Sequence, residues 1–229
     1  MASIPILSIA TFMQLYTNRL SNNGRRVHVA LLEKGIEAEI VPVQLNGDQM
    51  TPEFLAMNPF HHVPVLVDDG FTVIESLAIL DYLEAQYPTP PLMPTEPKAI
   101  ARVRMIEMVQ VHEMTPLMYP QLKAKVGIEV PAEVLEQTTT KMATVLQFYE
   151  QHLSEDFFVP GQFTLADIVA GVSITILDAF LGVDLTPYPQ ISAWYDRLST
   201  RPSWITTQPT PMEVMAFLPR IRTALQRHG

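Results

Sequence analysis

Residues 58–83 read NPFHHVPVLVDDGFTVIESLAILDYL, and this stretch decides the fold. Two short apolar runs, Val63–Val67 and Thr72–Ile74, flank Asp69-Gly70, a dipeptide that is typical of a tight hairpin turn. From Glu75 to Tyr87 the apolar residues follow the spacing of a helix instead. The stretch therefore predicts two antiparallel strands followed directly by a helix.

The residues before this stretch mix strand and helix signals. Met13–Tyr16 is a short apolar run, Arg26–Lys34 has the spacing of a helix face, and Glu39–Val43 alternates as a strand does. Gly35 is placed to end the helix, because glycine readily adopts the left-handed conformation at a helix C-terminus. The order strand, helix, strand, loop, hairpin, helix predicts an α/β domain over residues 13–87.

A proline-rich segment separates this half of the chain from the rest. Residues 88–97 read PTPPLMPTEP, in which five of ten residues are proline, so neither a helix nor a sheet ladder can continue through them. After this segment the periodicity is helical throughout, at roughly 98–127, 131–153, 164–181, 189–200 and 212–227. We therefore expect a stiff linker at 88–97 and an all-helical domain over 98–229.

The composition argues against several classes of function. The net charge is −9 and no basic run exceeds Arg25-Arg26, so we expect no nucleic-acid partner. The chain contains no cysteine, which excludes disulfides, thiolate metal sites and a cysteine nucleophile. Met1–Phe12 lacks the basic start of a secretory signal, and Ile168–Leu177 is far too short to span a membrane. We expect a cytoplasmic protein with no membrane partner and no metal.

The first motif that carries candidate chemistry is LSNNGRRV, residues 20–27, between the first strand and the first helix. A side chain at a helix start lies beside free backbone N–H groups and the positive end of the helix dipole, so Ser21 or Asn23 could help to hold an anion such as a thiolate. Both residue types are also preferred helix caps, and taken alone this motif favours simple capping.

The second motif is NPFHHVPVL, residues 58–66. Proline cannot donate a hydrogen bond to a sheet ladder, so Pro64 at the start of a strand is unusual. A cis peptide bond before Pro64 would turn the backbone of Val63 towards a ligand. A trans proline at a strand edge is equally compatible with the spacing.

The third motif is IESLAILDYL, residues 74–83. Ser76 opens a helix, where free N–H groups make a ready site for a carboxylate, and Glu75 beside it can accept from an ammonium group. The two together would suit the end group of an amino acid. An ordinary N-cap with an acidic residue nearby explains the same pattern.

In combination and in this order, the three motifs resemble the glutathione transferase superfamily, and the likeness extends over nearly the whole chain from Met13 onward. The runs S-N-N-G-R-R-V, N-P-x-x-x-V-P-V-L and E-S-L-A-I-L-x-Y-L match family patterns at the family's spacing. The resemblance implies a thioredoxin-like domain that binds glutathione, an all-helical domain that binds an electrophile, and a homodimer.

The resemblance also assigns roles to residues of the first half. Ser21 matches the hydroxyl that donates to the glutathione sulfur in theta- and zeta-like classes, and Asn23 matches the asparagine of a nu-like variant. In that variant a proline stands where this chain has Asn22. The residues that the resemblance implies around the peptide part of glutathione are Gln49, His62, Val63, Pro64, Glu75 and Ser76. Tyr16 is a weaker candidate for sulfur contact, and we expect it to pack in the core.

In the second half, Thr164 and Asp167 form a predicted capping box with Phe163 and Ile168 at the staple positions, and we interpret Asp167 as structural. The long helix after the linker carries candidate electrophile contacts at Met108, His112 and Tyr119. Methionines line adaptable binding sites, but the set at helical spacing is more typical of core or dimer contacts: Met105, Met108, Met114 and Met118.

The activity that the resemblance implies is conjugation of the thiol of reduced glutathione to hydrophobic electrophiles through a stabilised thiolate. Lowering a thiol pKa by about two units requires roughly 2.7 kcal/mol, and one charge-assisted hydrogen bond supplies about 1.5–3 kcal/mol. Three alternatives stay open at this point: a glutathione-dependent peroxidase or disulfide reductase, a zeta-like isomerase, and a non-catalytic binding protein on the same fold.

Overall fold

The computed structural model describes residues 13–154 and 156–227, so the prediction about Met1–Phe12 lies outside the described residues. Four short strands form one mixed sheet in the order β2-β1-β3-β4. They are β1 (Gln14–Thr17), β2 (Glu39–Pro42), β3 (Val65–Asp68) and β4 (Phe71–Ile74). β1 pairs in parallel with β2 and antiparallel with β3, and β3 and β4 form the hairpin that the sequence predicts around Asp69-Gly70.

Three helices accompany the sheet: α1 (Asn22–Lys34), α2 (Pro52–Met57) and α3 (Ser76–Gln86). α1 ends as predicted at Gly35, which has a φ of 64° and donates its N–H to the carbonyls of the preceding turn. The apolar faces of α1 and α3 enclose a core with the central strands, formed by Met13, Leu15, Val27, Leu31, Leu66, Ile79 and Leu83. The first half of the chain is therefore α/β, as the alternation of strand and helix periodicities in its sequence predicts.

The remaining elements are helical. They are α4 (Pro97–Val109), which continues through a π-helical turn at Gln110–Met114 into α5 (Thr115–Lys125), then α6 (Ala132–His152), α7 (Leu165–Ile176), α8 (Pro189–Ser199), α9 (Pro202–Thr207) and α10 (Pro211–Arg227). The predicted helices are confirmed, and the short α9 is additional. No helix or strand lies between Gln86 and Pro97, although the division into domains on either side of this segment stays a prediction. In the described ranges, no helix is both long and apolar enough to cross a membrane.

α7 runs through the centre of the helical half and begins with the predicted capping box. Asp167 is fully buried, and its carboxylate accepts the backbone N–H of Thr164 at 2.8 Å. The same carboxylate accepts the backbone N–H of Phe158 at 3.2 Å and the indole N–H of Trp194 at 2.9 Å. Burial raises the pKa of Asp167 to about 6, although these hydrogen bonds oppose the rise. Asp167 thus joins three segments of the core, which supports the structural interpretation.

Candidate glutathione-binding site

The sheet brings the three motifs to one edge. Tyr16 near the end of β1 pairs with Val65 at the start of β3, and Val65 pairs with Ile74 at the end of β4. Because β1 and β4 both run antiparallel to β3, the residues after β1, before β3 and after β4 leave the sheet on the same side. These are the segments that contain Ser21, Val63-Pro64 and Glu75-Ser76.

Ser21 is the N-cap of α1, and its hydroxyl oxygen accepts the backbone N–H of Gly24 at 3.1 Å. The capping interpretation is therefore confirmed. Capping does not exclude a second role, because a hydroxyl that accepts one hydrogen bond still has its own O–H to donate. Ser21 is half-buried, whereas Asn23 is exposed. Asn22, where the nu-like pattern has proline, donates to the hydroxyl of Ser173 on α7 at 3.4 Å.

Gly24 explains why this motif contains a glycine. A Cβ at this position would lie 1.8 Å from the Oγ1 of Thr17, the last residue of β1. Thr17 is itself buried, so it has little room to move away. The absence of a side chain at Gly24 lets the first turn of α1 approach the end of β1 closely, and this approach fixes the position of Ser21.

The second motif contains the cis peptide bond that the resemblance implies, between Val63 and Pro64. The loop before it is held by Asn58, which is buried and donates to the carbonyl of His62 at 2.8 Å. The side chain of His62 is exposed. Gln49 lies in a 3₁₀ turn at Asp48–Met50, and its side-chain carbonyl accepts the N–H of Gly47 at 3.3 Å.

The third motif has an unusual backbone at Glu75, with φ at 67° and ψ at 116°. Non-glycine residues rarely adopt positive φ, and such positions concentrate at functional sites. Glu75 is the N-cap residue of α3 and is exposed, while Ser76 is buried. The hydroxyl oxygen of Ser76 accepts a hydrogen bond from Nη1 of Arg26 at 3.3 Å. The free N–H groups at the start of α3 and the nearby guanidinium make this corner favourable for an anion.

Two arginines near the start of α1 are buried beside the candidate site, which the sequence did not identify. Arg25 is buried and reaches into the helical half, where it donates to the hydroxyls of Thr175 at 2.9 Å and Thr207 at 3.2 Å. Burial lowers its pKa to about 10, so it stays charged at neutral pH. The signal in the sequence was the Arg25-Arg26 pair, which directly precedes the apolar positions of α1.

The C-terminal helix also returns to the first half. Arg19, in the loop between β1 and α1, forms an ion pair with Glu213 at 3.0 Å. Arg220 donates to the side-chain carbonyl of Gln44, just after β2, at 3.2 Å. α10 is therefore connected to two loops of the α/β half, one of which leads from β1 to α1.

The residues predicted to contact an electrophile lie on the long helix as expected, but their environments differ. Met114 and Met118 are buried in the helical core, which confirms the core interpretation for them. Met105 and Met108 are exposed, and so are His112 and Tyr119. Tyr16 is half-buried and packs beside a small cluster around Val65, with its hydroxyl donating to Gln14 at 3.2 Å. The three predicted electrophile contacts are thus all exposed to solvent, and their role stays a prediction: Met108, His112 and Tyr119.

Comparison with family models places the chain. A model described as "Glutathione S-transferase, N-terminal domain" matches residues 15–91, and one described as "Glutathione S-transferase, C-terminal domain" matches residues 80–202. The second match covers more than half of the chain. The protein belongs to the glutathione transferase family, and its fold is the one that this family combines from a thioredoxin-like and a helical domain.

Individual relatives agree with this assignment. The chain is 36% identical over 181 residues to a maleylacetoacetate isomerase of Mus musculus, covering 78% of this chain and 83% of that protein. It is 32% identical over 209 residues to glutathione S-transferase 3 of Zea mays, covering 85% and 92%. Among solved structures, a glutathione S-transferase from Rhodospirillum rubrum is 29% identical with a TM-score of 0.75, covering 87% of this chain and 93% of that one. A glutathione S-transferase-I bound with lactoylglutathione is 28% identical with a TM-score of 0.73, covering 85% and 97%.

Proposed function

We propose that the protein is a glutathione transferase, which conjugates the thiol of reduced glutathione to hydrophobic electrophiles. The observation that carries this proposal is the meeting of three motifs, around Ser21, Val63-Pro64 and Glu75-Ser76, at one edge of the sheet. Each motif has a simple structural explanation by itself. Their convergence gives one surface with groups for a sulfur, a peptide unit and an amino-acid end group.

Within this proposal the peptide part of glutathione lies along the sheet edge. The hydroxyl of Ser76 and the start of α3 hold the γ-glutamyl carboxylate, and Glu75 accepts from the ammonium group. The backbone of Val63, before Pro64, pairs with the cysteinyl unit. His62 and Gln49 lie on the loops beyond this point and take the glycine carboxylate.

The sulfur is then placed at the start of α1. The Ser21 hydroxyl donates to the thiolate, and the helix dipole adds about 0.3–1 kcal/mol. Together these terms match the roughly 2.7 kcal/mol that a two-unit fall in the thiol pKa requires. The thiolate attacks an electrophile held on the accessible side of the long helix, by Met108, His112 and Tyr119. The sulfur forms the new carbon–sulfur bond as the leaving group departs with its electron pair.

A direct test combines binding and turnover. We expect the protein to be retained on immobilised glutathione, to be eluted by free glutathione, and to conjugate glutathione to a generic aryl halide at a rate well above the uncatalysed reaction. Glu75→Ala serves as the matched variant and should lose retention, since it removes the acceptor for the ammonium group. Retention without turnover would favour a binding protein, and loss of both would refute the proposal.

A second candidate function is a glutathione-dependent isomerase, which the 36% identity to the Mus musculus maleylacetoacetate isomerase supports. The same thiolate would serve, because it would add to the substrate and leave again instead of remaining attached. Incubation with maleylacetoacetate separates the two: net isomerisation with no consumption of glutathione identifies an isomerase. A peroxide and mixed-disulfide panel run in parallel covers the remaining redox alternative.

Two further parts of the proposal concern the protein as a whole. We propose that it acts in the cytoplasm and that it forms a homodimer, as the family resemblance implies. Sedimentation at micromolar concentration distinguishes a dimer from a 25.8 kDa chain.

A further inference from the structure

Arg26 lies behind the third motif and is one of the most deeply buried side chains of the protein. It is 1% exposed, and its Nη1 donates to the hydroxyl oxygen of Ser76 at 3.3 Å. Burial lowers the pKa of Arg26 to about 10, so the guanidinium is charged at neutral pH. A buried charge is costly unless something compensates for it.

Among the residues that the structure describes, no carboxylate accepts a hydrogen bond from Arg26. Glu107 on α4 is fully buried nearby, but its Oε2 accepts from Nη1 of Arg104 at 2.8 Å. Within the described part of the chain, Oε1 of Glu107 and Nε of Arg26 have no hydrogen-bond partner. The carboxylate of Glu107 therefore compensates the charge of Arg26 through space and without a hydrogen bond. The hydrogen bond that the structure describes for the Arg26 side chain goes to Ser76.

The direction of the hydrogen bond decides what the Ser76 hydroxyl can do. A serine hydroxyl has one O–H to donate and two lone pairs that accept. Since Arg26 occupies a lone pair, the O–H of Ser76 is directed elsewhere, and the adjoining guanidinium polarises it. A polarised hydroxyl at the start of α3 is a stronger donor to an anion than an isolated serine would be.

We propose that Arg26 is a positioning residue for the γ-glutamyl carboxylate of glutathione: it orients the Ser76 hydroxyl and supplies a buried positive charge behind it. This inference rests on the proposed function, in which Ser76 receives that carboxylate. In this inference, Arg26 affects binding from the core of the protein through Ser76, without touching the ligand itself.

The test uses a pair of ligands that differ only in this carboxylate. Glutathione is compared with 4-aminobutyryl-cysteinyl-glycine, which lacks the γ-glutamyl carboxylate, by equilibrium binding to the wild type and to Arg26→Met. We expect Arg26→Met to weaken glutathione binding by about tenfold or more, since it removes a charge-assisted contact. Binding of the analogue should change by less than about twofold, because the analogue has nothing for Arg26 to act upon.

Arg25→Met is the matched control, because Arg25 is also a buried arginine of α1 but donates to Thr175 and Thr207 instead. We expect this variant to affect the two ligands equally. Arg26→Lys guards against a failure of Arg26→Met to fold, since it keeps a positive charge in the core. It should weaken glutathione binding by about threefold to tenfold and again leave the analogue unaffected.

Equal losses for both ligands in the Arg26 variants would overturn the inference and reduce Arg26 to a residue that supports the fold. A wild type that binds the two ligands equally well would instead overturn the placement of the carboxylate at Ser76. The two failures are therefore distinguishable.

Discussion

Ser21→Ala is expected to lower kcat for conjugation by about 10- to 100-fold while the Kd for glutathione changes by less than about threefold. The hydroxyl contributes mainly to the charged sulfur, whereas most of the binding energy comes from groups along the sheet edge. Loss of the donor therefore raises the pKa of the bound thiol and leaves less thiolate at neutral pH. Titration of the bound thiolate by its ultraviolet absorbance should show this rise directly.

Two variants serve as controls for Ser21. Ser21→Thr keeps both the hydroxyl and the cap, so it should retain most of the activity. Ser21→Ala also removes the hydrogen bond to the N–H of Gly24, a capping loss of about 1 kcal/mol in stability, which a thermal melt measures separately. Asn23→Ala should have little effect, because this residue is exposed. If Asn23→Ala lowers kcat while Ser21→Ala does not, the sulfur contact belongs to Asn23.

Features that depend on neighbours in the sequence were predictable. Asp69-Gly70 between two apolar runs predicts a hairpin, and Gly35 after a helical run predicts a left-handed cap, because both follow from backbone sterics. The prolines within residues 88–96 disfavour regular structure by removing N–H donors, whereas Pro97 is the first residue of α4. The combination of motifs in order then indicated the candidate site residues through the family resemblance, whereas the strand pairings that bring them to one edge of the sheet come from the structure.

Features that depend on distant contacts were not predictable. Arg25 and Arg26 are adjacent in a charged pair, yet both are buried and point to different partners, Thr175 and Ser76. The packing of α1 between the sheet and α7 decides which partner each arginine reaches. Likewise, helical spacing grouped four methionines, but the structure buries Met114 and exposes Met108. Periodicity identifies a stripe along a helix without identifying which neighbour covers each part of it.

The positive φ of Glu75 belongs to the same class. Nothing in the letters ESLAIL indicates that the residue before the helix adopts a strained conformation, since glutamate has no preference for it. The surrounding hairpin and α3 impose it. A strained backbone of this kind arises only in the assembled fold. The sequence therefore identifies Glu75 as a candidate site residue through the family motif, and it does not predict its backbone conformation.

Asp167→Ala is expected to lower the free energy of unfolding by about 4 kcal/mol, a large part of the 5–15 kcal/mol typical of a folded domain. The substitution leaves four buried donors without this acceptor: the backbone N–H groups of Thr164 and Phe158, the hydroxyl of Thr164 and the indole N–H of Trp194. Each unsatisfied donor costs about 1–3 kcal/mol. Urea unfolding followed by circular dichroism measures the loss, and Asp196→Ala, at an exposed position on α8, is the control. A change below about 1 kcal/mol in Asp167→Ala would contradict the role of this carboxylate in the core.

The pH dependence of stability provides an independent measure of the same residue. Burial raises the pKa of Asp167 from 3.8 to about 6 in the folded protein, so between about pH 4 and pH 6 the unfolded chain releases this proton while the folded protein retains it. The contribution of the raised Asp167 pKa to the free energy of unfolding is therefore complete below about pH 4. It falls by roughly 3 kcal/mol as the pH rises to about 6, and it changes no further above about pH 6. Asp167→Asn cannot titrate, so the stability difference between the wild type and this variant should shrink across that interval. A difference that instead grows with pH would mean that the hydrogen bonds outweigh burial and that the folded protein stabilises the carboxylate.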